Sequence, residues 1–389
     1  MCLGLGHKWS AYIQPRGTSG GVSLTAQVGR YYRNVAQDFF DRHHRCVLRE
    51  VPGGDAIWQL WAASPPDWRV DWNRTMGALE QASCLTHDQI KRRWAEFVLH
   101  LCVCGFRENW GTSFTYPVDL QYRNGMLRRV LSIRGFQNRG KFKLHVLVTK
   151  GDRNSENVDA AVLRAPHIRW GGVCLPFFSF AEFTALGGNR KALTHEQLMH
   201  KHIEERCVRN CARAARLLDR HAQELSDWVK KVVCQIVVLP AVPGCTLSFS
   251  DPGAPGVVLL SLNHDPIAIA ESLVHEASHA YFRMLEQAAP VDDGSDKTLY
   301  YSPFKRELRP IRAILFAYHA FANVALFYRT LLSSRARFDR DAVSASMGEL
   351  TEKLGVLRSA LMSTSALTPP GIIVRDELTT KLNSESHTV

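Results

Sequence analysis

One pentad constrains this chain more than any other feature of its sequence: His275-Glu276-Ala277-Ser278-His279. Two histidines four positions apart on a helix point the same way, so both rings can reach one metal ion. Glu276 lies about 100° further round the helix, close enough to act on whatever a metal binds there. The pentad therefore predicts a metal-binding helix.

The residues around the pentad support a helix that is partly buried. Asp265-Pro266 offers an N-cap acid followed by proline at the first helical position. From Ile267 to Leu285 there is no proline or glycine. Apolar residues recur at helical spacing, namely Ile269, Leu273, Val274, Ala277 and Ala280. The alternative, an amphipathic helix with two exposed histidines, is disfavoured because a solvated face would carry charge.

Composition excludes several classes of protein. The 389 residues have room for two domains, and a hydrophobic content of 46% is ample for their cores. No run of 18 apolar residues predicts a membrane span, and the first residues lack the pattern of a signal peptide. The ten cysteines form no paired CxxC blocks, which is typical of buried thiols in a reducing compartment. We therefore expect a cytoplasmic protein.

The net charge of +11 is concentrated in the first part of the chain. Residues 1–150 hold 21 Lys+Arg against 11 Asp+Glu, whereas residues 151–389 hold 27 against 26. Two strands, 126–133 and 141–149, are predicted to form a hairpin around the turn residues 135–140. The basic residues on this hairpin are either a solvated strand face or a docking surface for an acidic peptide or nucleic acid. No zinc-finger, RRM or helix-turn-helix signature favours nucleic acid.

These patterns predict an α+β fold with two regions. Residues 1–190 form a basic, mixed α/β region suited to substrate or leader-peptide recognition, and residues 191–389 form a mainly helical metal-binding domain with a small sheet. Helices are predicted at 28–47, 87–102, 194–232 in one or two pieces, 310–332, 339–362 and 376–383. Three short strands are predicted at 232–239, 246–250 and 257–262, and a loop at 290–308.

A metal site needs a third protein ligand besides the two histidines. The metzincin extension fails, because Phe282 and Leu285 stand where a glycine and a histidine are required. The next helix offers no Asp or Glu, which weakens the case for a zinc peptidase with Glu276 as general base. That helix does carry His319 in an apolar stretch, either as a third ligand or as a core histidine. The remaining acidic candidates are Glu286, Asp292, Asp293, Asp296 and Glu307.

The ordered set of motifs from Pro255 to Phe321 resembles the HExxH-motif peptide-modification proteins. The matching segments are PGVVLLSL (255–262), LVHEASH (273–279), YSPFKRELRP (301–310) and YHAF (318–321). Members of this family occur with biosynthetic genes for ribosomally made, modified peptides and are similar to iron(II)- and 2-oxoglutarate-dependent peptide β-hydroxylases. The resemblance covers about residues 245–330.

The resemblance implies iron(II) held by His275, His279 and His319, with 2-oxoglutarate as cosubstrate and a peptide as substrate. The basic N-terminal region would then bind this peptide through an acidic leader segment. The far carboxylate of 2-oxoglutarate needs an arginine fork. Arg309 is the first candidate for it, and Arg306 and Arg312 are the others. Glu276 would then orient a ligand histidine or a water molecule.

Two alternatives to the oxygenase stay open at the level of sequence. The first is a zinc metallopeptidase in which Glu276 is the general base. The second is a non-catalytic protein that binds a peptide or nucleic acid and whose metal site is structural or degenerate.

Overall fold

The fold is described from a computed structural model. It covers residues 13, 21–50, 54–64, 74–80, 85–103, 111–122, 125–138, 141–148, 163–164, 166–171, 173–179, 203, 205–240, 246–262 and 265–384. Within these ranges the protein has an α+β fold, as predicted from the sequence. Residues 139–140 of the predicted hairpin turn and residues 194–202 of the predicted long helix lie outside the described residues.

Among the described residues, the first part of the chain has four helical segments followed by an antiparallel sheet. The helices are α1 (Gly21–Glu50), α2 (Gly54–Ala63), α3 (Arg74–Glu80) and α4 (His87–Val103). The strands of this sheet are β1 (Gly111–Tyr122), β2 (Gly125–Asn138), β3 (Lys141–Val148) and β4 (Leu163–Arg164). β2 lies between β1 and β3 and also pairs with β4.

In the part of the chain that follows, the described residues form a second sheet and three helices. In chain order they are β5 (His167–Trp170), β6 (Val173–Ser179), α5 (Glu205–His221), α6 (Gln223–Val232), β7 (Gln235–Leu239), β8 (Ser248–Ser250), β9 (Val257–Ser261) and α7 (Pro266–Ala288). The strand order is β5-β6-β7-β9-β8. β6, β7 and β9 are parallel, and β5 and β8 add antiparallel edges.

The chain ends with a short hairpin and three helices: β10 (Leu299–Ser302), β11 (Glu307–Pro310), α8 (Ile311–Ser333), α9 (Arg340–Ser363) and α10 (Pro369–Ser384). α8 packs against α7, α9 and α10. It is therefore the central helix of this part of the fold.

The central strands explain why α7 lies where it does. Every residue of β7 and β9 is buried, as expected for parallel strands covered on both faces. α7 follows β9 directly and packs on β9, β8 and α5. The central sheet takes strands from both sides of residue 190, so the two predicted regions share one sheet. Their division into domains stays a prediction.

Most predicted elements of the central and C-terminal parts are confirmed with shifts of a few residues at their ends. The predicted long helix is two helices, α5 and α6, separated by Ala222. The basic hairpin is also confirmed as the antiparallel pair β2–β3, but β2 continues through Gly135–Asn138 where a turn was predicted. That part of the prediction was wrong because paired backbone overrides the turn preference of glycine and asparagine.

Two further boundaries were predicted wrongly. The predicted loop 290–308 contains the hairpin of β10 and β11. α10 begins at Pro369 rather than at residue 376, and this early start places Gly371 against the carbonyl oxygen of Val291. Prolines are tolerated in the first turn of a helix because the N–H groups there have no helical partner.

One helix of the described residues, α8, is long and apolar enough to cross a membrane by length and composition. However, 72% of its most apolar window is buried inside the fold. Burial by α7, α9 and α10 accounts for its apolar character, since a core helix of a globular protein needs the same composition.

Gly371 gives a test of this packing. A Cβ atom at this position would lie 2.1 Å from the carbonyl oxygen of Val291, whereas at Gly355 on α9 it would meet nothing within 4 Å. Gly371→Ala should therefore lower the free energy of unfolding by about 1–3 kcal/mol. Gly355→Ala should raise it by about 0.5–1 kcal/mol. Chemical denaturation of both variants measures the difference, and equal shifts would contradict the packing described.

Asp296 ties the loop before β10 to the end of α9. Its side chain accepts hydrogen bonds from the hydroxyls of Tyr300 (2.7 Å) and Thr364 (2.6 Å) and from the amide of Thr298 (2.9 Å). The Thr364 hydroxyl, followed by the Tyr300 hydroxyl and the Thr298 amide, lowers the pKa of this carboxyl. Its stabilising effect is therefore present above the unfolded pKa of about 4 and is lost as pH falls below it.

Asp296→Asn should accordingly lower the thermal midpoint most at neutral pH, and the difference from wild type should shrink as pH falls below about 4. Differential scanning calorimetry at several pH values measures this effect. Glu352→Gln, an exposed change on α9, is the matched control. A pH-independent difference would show that Asp296 does not act through its charge.

Candidate metal centre

The helix α7 that carries the pentad begins as the sequence predicted. The side chain of Asp265 accepts hydrogen bonds from the amides of Ile267 (2.7 Å) and Ala268 (3.3 Å), and Pro266 occupies the first turn. This cap satisfies two amides that have no helical partner. The cap fixes where α7 begins.

His275 and His279 lie side by side on α7. Their ring centroids are 4.4 Å apart and the rings are nearly perpendicular, at 79°. His275 packs against Phe321, with centroids 4.6 Å apart, and His279 stacks on Phe316 at 4.0 Å. Both residues are half-buried. α8 thus supplies an aromatic wall against one side of the imidazole pair.

The surroundings favour the neutral form of both imidazoles. Burial, Lys305 and His319 lower the pKa of His275 to about 4. Burial, followed by His275, Arg283 and other nearby cationic groups, lowers the pKa of His279 well below its usual value. Neutral imidazole is the form in which histidine binds metals.

His319 is completely buried on α8. Its ring lies 5.5 Å from that of Phe282 and 6.4 Å from that of Trp228. It is close enough to the pair to act on the pKa of both histidines. Within the described ranges, however, no group of three or more His, Cys, Asp or Glu side chains is placed to hold a metal ion. His319 therefore stays a predicted ligand.

The pair itself fits a metal ion by the nature of its donor atoms. Nδ1 of His279 is buried and makes no hydrogen bond with any described residue. A buried nitrogen of this kind requires a partner, which a metal ion or a polar ligand can supply. The two neutral, adjacent imidazoles are what a helical HExxH site requires.

Glu276 contacts a different element from the two imidazoles. Its Oε1 accepts a hydrogen bond of 2.8 Å from the hydroxyl of Ser248 on the edge strand β8. Only 1% of the residue is exposed. Burial raises the pKa of its carboxyl, and the nearby Ser248 and Ser250 hydroxyls and Arg283 oppose that rise. The pentad thus joins α7 to α8 through its histidines and to the sheet through its glutamate.

A small cavity with a mixed polar and apolar lining lies beside Glu276. It has a volume of about 20 Å³ and is lined by Glu276, Arg283, Gln287 and Tyr32, among others. Oε2 of Glu276 and Oε1 of Gln287 are buried and have no hydrogen-bond partner among the described residues. Arg283 donates to the carbonyl oxygen of Ser250 at 3.1 Å. Two acceptors and a guanidinium thus meet in one enclosed space.

Arg283 was not among the site residues predicted from the sequence. It stands four residues after His279, so both lie on one face of α7. Its guanidinium lies 6.0 Å from the ring of Phe316, the same ring on which His279 stacks. The spacing to the pentad was a signal that could have found it.

The three arginines proposed from the sequence lie outside this buried environment. Arg309 on β11 forms an ion pair of 3.4 Å with Glu307, and its side chain is 38% exposed. Arg312 donates to Glu286 through Nε and Nη2, with Nη2 2.8 Å from Oε2. Arg306 is exposed. No described interaction joins any of the three to the imidazole pair, and their role in binding a cosubstrate stays a prediction.

The acidic alternatives for the third ligand also have other partners. Glu286 and Glu307 pair with arginines, as described above. Asp292 accepts from the amide of Gly294, and Asp293 accepts from the amide of Ser295. Asp296 holds the loop to α9. Each of these carboxylates has a structural explanation without a metal ion.

The turn between β10 and β11 approaches the imidazole pair. Phe304 in this turn stacks on Phe321, the ring that contacts His275. The neighbouring Lys305 is exposed and acts on the pKa of His275, His279 and Glu276. The hairpin that was predicted to be a loop therefore adds a cation next to the candidate site.

No family model matches this chain, and no curated protein is significantly similar to it. The resemblance to HExxH-motif peptide-modification proteins therefore rests on the motifs quoted above.

The bond between Ser248 and Glu276 is testable. Ser248→Ala leaves Oε1 of a buried carboxyl without its donor, so it should lower the free energy of unfolding by about 1–3 kcal/mol. Ser359→Ala, which removes an exposed hydroxyl bonded to the carbonyl of Gly355, should change it by less than about 0.5 kcal/mol. Urea denaturation compares the two. Equal effects would mean that Glu276 does not depend on β8.

Proposed function

We propose that this protein is an iron(II)- and 2-oxoglutarate-dependent oxygenase that hydroxylates an unactivated carbon, most simply a β-carbon, of a peptide substrate. The observation that carries the proposal is the imidazole pair of His275 and His279, 4.4 Å apart and half-buried. In this proposal the two histidines hold the metal, and His319 is the third ligand. Iron(II) together with 2-oxoglutarate supplies the oxidising power that breaking a C–H bond requires.

The charges around the pair favour an anionic cosubstrate. Lys305 and Arg283 both lie close enough to the imidazoles to act on them electrostatically. Three neutral imidazoles would leave a divalent cation uncompensated, and a dianion such as 2-oxoglutarate would balance it. The potential set by Lys305 and Arg283 attracts such an anion, and more strongly where water is excluded.

The aromatic residues of α8 have two roles in this proposal. Phe316 and Phe321 fix the orientation of the two imidazoles by direct ring contact. They also exclude water from one side of the pair, which protects a reactive oxidant from side reactions. The other side of the pair is left for cosubstrate and peptide.

Glu276 has a positioning role in this function. Its carboxyl is held by Ser248 on β8 and faces the cavity with Arg283 and Gln287. It anchors α7 to the sheet and thereby fixes the position of His275 and His279 relative to α8. This role differs from the general base that a zinc peptidase requires, which must reach the attacking water. The contacts of Glu276 with β8 thus favour the oxygenase over the peptidase.

The proposal predicts specific binding of iron(II) and 2-oxoglutarate. Purified without oxygen and supplied with iron(II), the protein should develop a visible charge-transfer band when 2-oxoglutarate is added. His275→Ala and His279→Ala should abolish iron retention, and His319→Ala should weaken it at least tenfold. His167→Ala, a change at an exposed position of β5, is the control. Tightly bound zinc, no such band and cleavage of peptides would instead establish the peptidase.

A substitution of Lys305 distinguishes binding of the cosubstrate from binding of the metal. Lys305→Met should weaken binding of 2-oxoglutarate roughly fivefold to tenfold at low salt without weakening iron binding, because the anion loses an attractive charge whereas the metal cation loses a repulsive one. Lys297→Met, in the exposed loop before β10, should change neither. Titration of the charge-transfer band with 2-oxoglutarate at saturating iron(II), and with iron(II) at saturating 2-oxoglutarate, gives the two affinities. Unchanged affinity for 2-oxoglutarate in Lys305→Met would show that this lysine does not act on the cosubstrate.

A further inference from the structure

The outer face of α5 carries a row of arginines that the candidate metal centre does not use. Exposed arginines stand at alternating steps of three and four residues along this helix, namely Arg206, Arg209, Arg213, Arg216 and Arg220. At 1.5 Å per residue the row is about 21 Å long. We call it the arginine row. The opposite face of α5 is buried against the core through Cys207, Cys211, Ala214, Ala215 and Leu218.

This arrangement is unfavourable for the helix itself. Like charges three or four residues apart destabilise an α-helix, and the arginine row contains four such neighbouring pairs. Arg209 forms an exposed ion pair with Glu205. Arg213, Arg216 and Arg220 form no ion pair with any described residue. The fold therefore offers little compensation for this repulsion, which is a common property of binding surfaces.

Guanidinium groups also specify the kind of partner. Every exposed basic residue on α5 is an arginine, and arginine binds carboxylates in a two-pronged geometry that lysine does not offer. An acidic helix with carboxylates at the same alternating steps has the same axial repeat as the arginine row. An extended strand repeats its side chains at about 6.7 Å on one face and falls out of step with the row.

The surroundings of the arginine row argue against nucleic acid. Residues 151–389 are nearly neutral, with 27 Lys+Arg against 26 Asp+Glu. The adjacent helix α6 exposes Glu224 and Asp227. Binding of a duplex needs a broad basic surface that neutralises many phosphates. A single row bordered by carboxylates suits one narrow acidic element.

We propose that the arginine row on α5 docks an acidic α-helix of a peptide or protein partner, whose carboxylates lie opposite the arginines. This proposal does not depend on the metal chemistry proposed above. It places a recognition surface on a helix that packs directly against α7. A bound partner would therefore lie one helix away from the imidazole pair.

The test measures binding of a labelled synthetic helix with glutamate at alternating steps of three and four residues, by fluorescence anisotropy. A helix with glutamine at each of these positions is the control for charge. The full-length double variant Arg213→Gln/Arg216→Gln should bind the glutamate helix roughly tenfold more weakly than wild type at low salt. The double variant Arg335→Gln/Arg358→Gln, which removes the same charge at exposed positions elsewhere, should bind within about twofold of wild type.

The thermal midpoint of the variant distinguishes a loss of contacts with the partner from a loss of folded structure. Arg213→Gln/Arg216→Gln should raise the thermal midpoint, because it relieves repulsion and glutamine has a helix propensity close to that of arginine. A lower midpoint, or equal weakening by both double variants, would overturn the proposal. Labelled oligothymidine is the third probe. If it binds more tightly than the glutamate helix and loses affinity in the same variant, the arginine row is a nucleic-acid surface and the proposal is wrong.

Discussion

The packing of α7 against α8 is the constraint on which the candidate site depends. Phe316 and Phe321 on α8 cover one side of the two imidazoles on α7 and remove the water that would otherwise solvate an imidazolium. Loss of that solvation lowers the pKa of both histidines, and nearby cations act in the same direction. The helix packing that gives the fold its core thus also prepares two neutral donors, and the two properties cannot be changed independently.

The pentad connects three parts of the structure because its residues point in different directions round one helix. His275 and His279 face α8, whereas Glu276 reaches Ser248 on the edge strand β8. This division explains how a buried carboxyl beside two histidines is stabilised without bonding to either ring. A carboxyl whose one oxygen is already bonded to the sheet is better suited to fixing α7 in place than to accepting a proton from a substrate.

Features set by local sequence were predictable, and features set by tertiary packing were not. The cap at Asp265 and the apolar spacing of α7 are local, so the helix and its histidine pair could be placed from the sequence. The hairpin β10–β11 could not be predicted, because residues such as Leu299, Tyr301 and Leu308 are at least half exposed. Without a buried face its strands show no alternation of polar and apolar residues. The turn of this hairpin carries Lys305, which acts on the pKa of His275, His279 and Glu276.

The prediction of the arginine at the site shows more clearly that tertiary packing cannot be read from local sequence. Arg309 and Arg312 were chosen for their position in a motif, but each is paired with a glutamate and substantially exposed. An ion pair in water contributes little, and a solvated guanidinium attracts an anion weakly. Arg283 is largely buried and lies one helical turn beyond His279, where lower effective dielectric strengthens its field. Spacing places Arg283 on the same face of α7 as His279, but its burial, which the spacing does not encode, makes it the arginine that acts on the imidazole pair.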